Sequence, residues 1–481
     1  MTTALLTTEG TYPFEGGGVS AWCDVLVREL PDVDFTVLAI TGGSTSPLRW
    51  DPPPNVRVVR VPLWEAGDPT TLLEPGVSLR ERIRATTDAV VEDDFVPVFR
   101  RVLRGMQGVG ELDGAAVHQL ARFARKRHWP TAWRSRSTWR AFVAEETVFA
   151  LARDGQRPSV FDLSEALRSL YNLLLPLAAP LERHDVVHVS IASSAVLPGV
   201  VAAHEWGTPV IVTDHGIAMR ERALAVSTAD MTPYAKSFLL RLGEYLSRLA
   251  YAYASVIAPV AEFNRRWEEH YGADPSSIRT IYNGVDPSVF APQPKPRERA
   301  GIPTVVAAAR VIPVKDIETM IRAAAVTRRI VPDVAFVLYG STDADQAYTD
   351  RCRALVTGLD LEGTFTFAGF HPSPSELYAE GDITILSSIT EGFPYTVLES
   401  MSCGRPVAAT DVGGVREALE GAGIVVPPRD EEALGAAVAR LLQDEDLRLS
   451  LGRRGREQVL ARFRTQRSVD AYRRLYDQAA P

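Results

Sequence analysis

The sequence predicts an α/β protein built from two doubly wound domains, with a helical insertion in the first. Three observations predict it. Strand and helix signals alternate in both halves of the chain, the pattern of parallel strands joined by crossover helices. The alternation breaks once, over about 78–181, where helical periodicity runs with almost no strand signal, a stretch too long for an ordinary connection inside such a domain. A proline-rich run, Pro287, Pro292, Pro294 and Pro296, then separates the halves as a linker would. Two such sheets imply a cleft between them, because doubly wound sheets bind ligands outside the carboxyl ends of their strands.

The elements follow in order. In the first domain, 1–286, buried strands are expected at Ala4–Thr8, Phe35–Ile40 (FTVLAI) and Val56–Val61 (VRVVRV) from their short β-branched and apolar runs. A glycine-rich turn and a helix through Trp22–Leu30 follow the first of them. After the insertion the strands resume at Asp185–Val189, Pro209–Thr213 and Ser255–Val260. The linker is placed at 287–303. The second domain, 304–462, has strands at Val305–Ala309, Ala335–Tyr339, Thr364–Ala368, Ile383–Ser387 and Val407–Thr410. A closing helical segment, 463–481, is a candidate to pack back on the first domain. No repeat of 20–50 residues is present, so solenoids and propellers are excluded.

Composition narrows the function. Of 481 residues, 46% are hydrophobic and 23% charged, ordinary for a globular chain and unlike a disordered, fibrous or multi-spanning one. Fifty-two Lys and Arg stand against 60 Asp and Glu, a formal net charge of -8, which argues against nucleic-acid binding. Three scattered cysteines, Cys23, Cys352 and Cys403, make neither a disulfide framework nor a zinc site. The start, MTTALLTTEG, lacks a signal peptide's basic and apolar regions. The longest apolar stretch, Leu170–Leu181, holds Asn172 and Pro176 and is 12 residues long, short of the roughly 20 that span a bilayer. A cytoplasmic protein is expected, soluble or peripheral at the inner membrane.

Four motifs carry candidate chemistry. In Ser387-Ser-Ile-Thr-Glu391-Gly392-Phe393-Pro394-Tyr395-Thr396-Val397-Leu-Glu399 a strand ends, a loop carries Glu391 and a helix begins after Pro394, where proline is well tolerated. Glu399 lies about 6 Å along that helix, so both carboxylates can face a ligand at a helix start suited to phosphate; capping alone would explain the same acids. Ala309-Arg310-Val-Ile-Pro-Val-Lys315-Asp316 follows the second domain's first strand and supplies a guanidinium fork and an ammonium suited to a diphosphate, or a solvated loop. Glu9-Gly-Thr-Tyr-Pro-Phe-Glu-Gly16-Gly17-Gly18-Val19-Ser20 is a glycine turn between strand and helix that permits close backbone approach, without the dinucleotide spacing. Thr213-Asp214-His215-Gly216, followed by Arg220-Glu221-Arg222, ends another strand.

Two further signals are weaker. Asp343 and Asp345 imitate a metal-binding pair, but helix capping accounts for them. Leu120–Arg140 holds seven Arg or Lys, Trp129, Trp133 and Trp139, and no acid. Such a segment suits an anionic membrane surface, a protein partner or a saccharide stacking on indoles, or an insertion that packs its Trp side chains inward.

The four motifs together resemble family-four retaining glycosyltransferases of the GT-B fold. EGTYPFEGGGVSAW, TDHGIAMRER, RVIPVKDIETMIRA and SSITEGFPYTVLESM are most similar to the PelF-type enzymes of exopolysaccharide synthesis, and that likeness covers nearly the whole chain. The resemblance implies that Arg310 and Lys315 neutralise the donor diphosphate, Glu399 holds the nucleotide's ribose, Glu391 meets the donor sugar, and Tyr395, Thr396 and Val397 present backbone amides. It implies that Gly392 and Phe393 belong to the donor site, that Gly17 and Gly18 let the first domain close on the donor, and that His215 contacts the sugar near the reacting carbon. The acceptor side is assigned to Arg220, Glu221 and Arg222. Pro394 departs from the glycine common in the family. The implied donor is a UDP-sugar, UDP-glucose by analogy, and the implied acceptor is a saccharide or a small molecule. No cofactor and no metal are expected. The reaction expected is hexose transfer with retention; a nucleotide-sugar epimerase and a non-catalytic nucleotide-sugar-binding scaffold are the alternatives.

Overall fold

The computed structural model describes residues 2–64, 78–110, 112–371 and 373–479. The chain divides into two compact units, Met1–Pro259 with Arg265–Thr280 and Arg473–Pro481, and Val260–Asn264 with Ile281–Tyr472. The division falls at Thr280–Ile281, ahead of the proline run.

The first unit carries a parallel six-stranded sheet made of β1 (Thr2–Glu9), β2 (Val33–Thr41), β3 (Val56–Pro62), β4 (Val186–Val189), β5 (Val210–Val212) and β6 (Val256–Ile257), in the order β3-β2-β1-β4-β5-β6. The six expected strands of this half are all present. Central strands read as continuous apolar runs because helices cover both faces; all four residues of β4 are buried. β6 is only two residues long, shorter than expected, and closes the sheet's edge.

The insertion is helical from Leu79 to Ala178. Its apolar stretch splits between the helix Val160–Leu173 and a 3-10 turn, Leu175–Ala178, and no described helix is long and apolar enough to cross a membrane. In the Trp-bearing segment Trp129 and Trp133 are buried and pack with Phe95 at ring distances of 6.0 and 5.7 Å. Arg125 pairs with Glu205 at 2.8 Å, while Arg134, Arg136 and Arg140 are exposed. Two of the three indoles are therefore almost wholly buried, Trp129 at 2% and Trp133 at 4% exposure, which leaves little of them for a membrane surface.

The second unit repeats the plan with β7 (Thr304–Ala308), β8 (Ala335–Tyr339), β9 (Phe365–Gly369), β10 (Ile383–Leu386), β11 (Val407–Thr410) and β12 (Gly423–Val426), in the order β12-β11-β10-β7-β8-β9. β12 was not expected. Its sequence, GIVV, is short, and only its last residue is buried, as befits an edge strand. The closing helix, Thr465–Ala479, ends in the first unit: Tyr476 bonds His188 Nδ1 at 2.6 Å, and Arg473 bonds Asp32 at 2.6 Å.

Candidate functional site

In the second unit β7 and β10 are neighbours although β8 and β9 intervene in the chain. Such a reversal of strand order opens a crevice at the carboxyl edge. The loops leaving both strands are stitched together there: Ile389 N–H donates to Val314 O at 2.9 Å and Ser387 Oγ to Lys315 O at 2.8 Å. A third loop braces them. Val311 N–H donates to Ser341 O at 2.9 Å, and a Cβ on Gly340 would lie 1.9 Å from Ala309 O, so only glycine lets the loop after β8 pass. Asp316, in the left-handed region at φ 47°, turns the chain and caps the helix Ile317–Ile330.

These constraints deliver Lys315 Nζ onto Glu391 Oε1 at 2.6 Å, and Ser388 Oγ donates to the same oxygen at 2.5 Å. The two motifs singled out separately in the sequence thus form one ion pair. Arg310 is exposed at the start of its loop. Gly413 and Gly414 hold the Glu391 loop from the other side: Gly414 N–H donates to Gly392 O at 2.7 Å, and a Cβ on Gly413 would lie 1.8 Å from Glu391 O. Sequence reasoning missed both glycines; their signal was a glycine pair directly after a strand.

The helix Tyr395–Ser402 starts beside this pair with Pro394 as its cap residue and no side-chain cap. The expectation that Tyr395, Thr396 and Val397 present backbone amides needs correction for Val397, whose N–H donates to Pro394 O at 3.2 Å. Phe393 can serve the donor site through its main chain. Its ring is buried between Tyr282 and Phe463, at 5.1 and 5.2 Å, so only its backbone can meet a ligand. Asn283 fixes that backbone by donating from Nδ2 to Phe393 O at 3.0 Å, a second residue the sequence reading passed over. Glu399 accepts from Tyr378 Oη at 2.6 Å, and burial pushes its carboxyl up to about 7.

In the first unit the strand order reverses between β1 and β4. Glu9, the last residue of β1, accepts from Ser193 Oγ at 2.5 Å and Ser194 Oγ at 2.6 Å. Gly17 sits at φ 142°, a conformation that favours glycine, and caps the helix Gly18–Glu29, to which Gly18 contributes the first residue. Trp22 on that helix lies edge-on to His188 at 5.2 Å and to His215 at 4.5 Å. His188 bonds Thr213 Oγ1 through Nε2 at 2.8 Å. Burial lowers both His188 and His215 to about 3, so both imidazoles are neutral at ordinary pH. Asp214 faces inward, accepting from Tyr251 Oη at 2.7 Å and Ala192 N–H at 3.3 Å, and burial raises it to about 6.

Of the acceptor-side candidates, Arg222 is half-buried, its pKa lowered by burial, with Glu9 as the opposing charge. Gly243 makes room for it: a Cβ there would meet Arg222 Cδ at 2.6 Å. Glu221 folds toward Gly216, whose added Cβ would lie 2.5 Å from Glu221 Oε1. Burial and Arg266 together lower the pKa of Arg220. Asp345 caps the helix Gln346–Gly358 by accepting from Tyr348 N–H at 2.9 Å. Among the described residues no group of three or more His, Cys, Asp or Glu forms a metal-holding cluster.

Comparison with known proteins gives this geometry a family. Residues 2–276 match the family described as a domain of unknown function (DUF3492), and residues 292–458 match the glycosyl transferases group 1. The chain belongs to these families, DUF3492 in its first part and the group 1 glycosyl transferases in its second. A relative, the D-inositol 3-phosphate glycosyltransferase of Thermomonospora curvata, is 29% identical over 286 residues, 55% of this chain and 64% of that protein. The enzyme of the same name from Acidothermus cellulolyticus is 29% identical over 62% of this chain and 67% of its own length. The aligned part thus spans about two thirds of these relatives. Anabaena HepE in complex with UDP and glucose superposes with a TM-score of 0.62 at 15% identity, covering 99% of this chain and 100% of HepE. Sucrose-phosphate synthase from Thermosynechococcus elongatus gives 0.64 at 18%, covering 99% of each. These likenesses fix the fold as that of the GT-B glycosyltransferases.

Proposed function

We propose that this glycosyltransferase moves a hexose from a UDP-sugar, UDP-glucose in the first instance, to an acceptor hydroxyl with retention at the anomeric carbon. The acceptor is a growing exopolysaccharide, as in the PelF-type enzymes the motifs resemble, or a small molecule. The observation that carries the reading is the Lys315–Glu391 pair at the β7/β10 crevice, 2.6 Å apart. It sets a cation suited to a diphosphate against a carboxylate suited to sugar hydroxyls, beside a helix start. Solved neighbours were crystallised with UDP and with UDP-glucose, which supports the donor class.

In this reading the bond between the anomeric carbon and the diphosphate oxygen breaks as the acceptor oxygen bonds the same face of that carbon. The acceptor's proton passes to the departing phosphate. The transition state is oxocarbenium-like, and the charge gathering on the diphosphate meets Arg310, Lys315 and the Tyr395 helix start, so the protein mainly positions and neutralises. No metal is assigned a part.

The test is UDP release from a panel of nucleotide-sugars with and without saccharide acceptors, with product anomers read by NMR. Acceptor-dependent release giving the donor's own anomer is expected. Donor conversion without any acceptor would make the protein an epimerase, and tight UDP binding without turnover would make it a scaffold; either result overturns the proposal.

A further inference from the structure

The helical insertion of the first unit holds a cavity of about 570 Å³, within the range of small-ligand sites. Aromatic side chains form much of its wall: Trp64, Trp133, Trp139 and Tyr171. Between them stand hydrogen-bonding groups, Arg134, Arg168, Ser164 and Asn172. Trp133 belongs to the insertion's core, Trp139 and Tyr171 are partly buried against that core, and Trp64 is 51% exposed. The Trp64 backbone N–H donates to Gly42 O at 3.0 Å, which fixes its main chain, and Arg168, paired with Glu165 at 2.5 Å, lies 5.9 Å from the indole ring.

We infer that this cavity is a saccharide-binding subsite, built for the pyranose units of an oligosaccharide. Pyranose rings present flat C–H faces that lie on aromatic rings, and a rim of hydroxyls that needs donors and acceptors at the edges of those rings. The lining supplies both. An apolar ligand would strip water from Arg134, Ser164 and Asn172 without replacing their hydrogen bonds, at a net cost.

The subsite lies on the edge of the sheet that also carries His215. Trp64 is two residues past the end of β3, and His215 three past the end of β5, both at carboxyl ends of parallel strands. Four strand spacings separate β3 from β5, roughly 19 Å along the edge. A saccharide in the cavity that also reached the His215 turn would therefore be a chain of several units. That the bound chain is the transferase's acceptor rests on the function proposed above; that the cavity binds saccharide does not.

The experiment uses the full chain without nucleotide. Maltohexaose, cellohexaose and chitohexaose are titrated while tryptophan emission is followed, with glucose as the short control. At least one hexasaccharide should bind saturably, and glucose roughly tenfold or more weaker. Trp64→Ala removes the exposed platform and should weaken binding about tenfold. Ser164→Trp, at an exposed helix position, should block the cavity without touching the core. UDP affinity and melting temperature should be unchanged in both. The inference is overturned if no hexasaccharide binds, or if both variants bind as the parent does. It is also overturned if a hydrophobic dye fills the cavity in a Trp64-dependent way and no hexasaccharide displaces it. Loss of UDP binding by the parent would sink the donor assignment and leave this result standing.

Discussion

The two units build the same crevice and furnish it in opposite ways. Both sheets place their first strand beside their fourth, β1 beside β4 and β7 beside β10. In the second unit the crevice holds an ion pair, Lys315 with Glu391, with Arg310 exposed nearby. In the first it holds a glycine turn, Glu9 clamped by two serines, and histidines that burial has discharged. Topology decides where a ligand can sit; the side chains at that place decide its charge. In the function proposed above, the second unit's edge meets the diphosphate and the first unit's edge, where Glu9 opposes Arg222, meets the sugar.

The largest expected effect tests how rigidly the charged edge is held. Gly413 has φ 56°, and a Cβ there would lie 1.8 Å from Glu391 O. Gly413→Ala therefore adds a backbone clash to a left-handed strain of about 1–3 kcal/mol. UDP binding should fall below detection in calorimetry, and the melting temperature should drop by several degrees. Gly17→Ala in the first unit carries the strain alone, since nothing lies within 4 Å of its added Cβ, so its loss should be smaller. Equal losses would break the contrast between a clamped edge and an open one.

Next in size is the cation. Lys315→Ala should weaken UDP by about 10- to 150-fold, the worth of a charged hydrogen bond at roughly 1.5–3 kcal/mol. Glu391→Gln should do the reverse to binding and damage turnover. It removes the carboxylate that holds Lys315, so UDP affinity should stay level or rise while kcat falls. A matching loss of UDP affinity in Glu391→Gln would place Glu391 on the nucleotide instead of the sugar.

How much of this could be read in the chain follows from the range of each signal. Eleven of the strands were legible because an apolar run of five or six residues is a local fact, and the twelfth, β12, escaped because an edge strand needs only one buried residue. The four motifs were legible because each is a loop leaving a strand. The Lys315–Glu391 pairing was not, because it joins loops 76 residues apart through backbone bonds such as Ile389 to Val314. Gly413, Gly414 and Asn283 went unseen for the same reason: each acts on the backbone of another segment. The indoles of 129–133 were open to several readings until their neighbours, such as Phe95, were known.

A smaller effect should appear in pH. Burial raises Glu399 to about 7, above a free carboxyl at about 4.3. Its contribution to stability is therefore complete below about 4.3 and is lost as pH climbs through about 7. Binding should run the other way. If Glu399 holds the ribose, as the resemblance implies, the hydroxyls donate to the charged carboxylate and UDP affinity should rise with pH up to about 7, by at most about tenfold per unit, and level off above. UDP's own phosphate also titrates near 6, so the quantity to measure is the difference between the parent and Glu399→Gln across pH 5.5–8. Parallel profiles would remove Glu399 from the nucleotide site.

The smallest expected effect belongs to the first unit and sharpens the contrast most. His215 is lowered to about 3 by burial, with its ring against Trp22, so across pH 5.5–8 it is a neutral imidazole that neither gives up nor takes on charge. A neutral contact to a sugar hydroxyl is worth roughly 0.5–1.5 kcal/mol, so His215→Ala should cost about 2- to 12-fold in kcat/KM and leave UDP affinity unmoved. The shape of the pH profile should be the same in parent and variant, because the residue removed was not titrating. A parent limb near 6.5, the ordinary value for histidine, that vanishes in His215→Ala would mean that His215 carries a proton during turnover. The first unit's edge would then be an acid–base site, and the reading of its histidines as discharged by burial would fall.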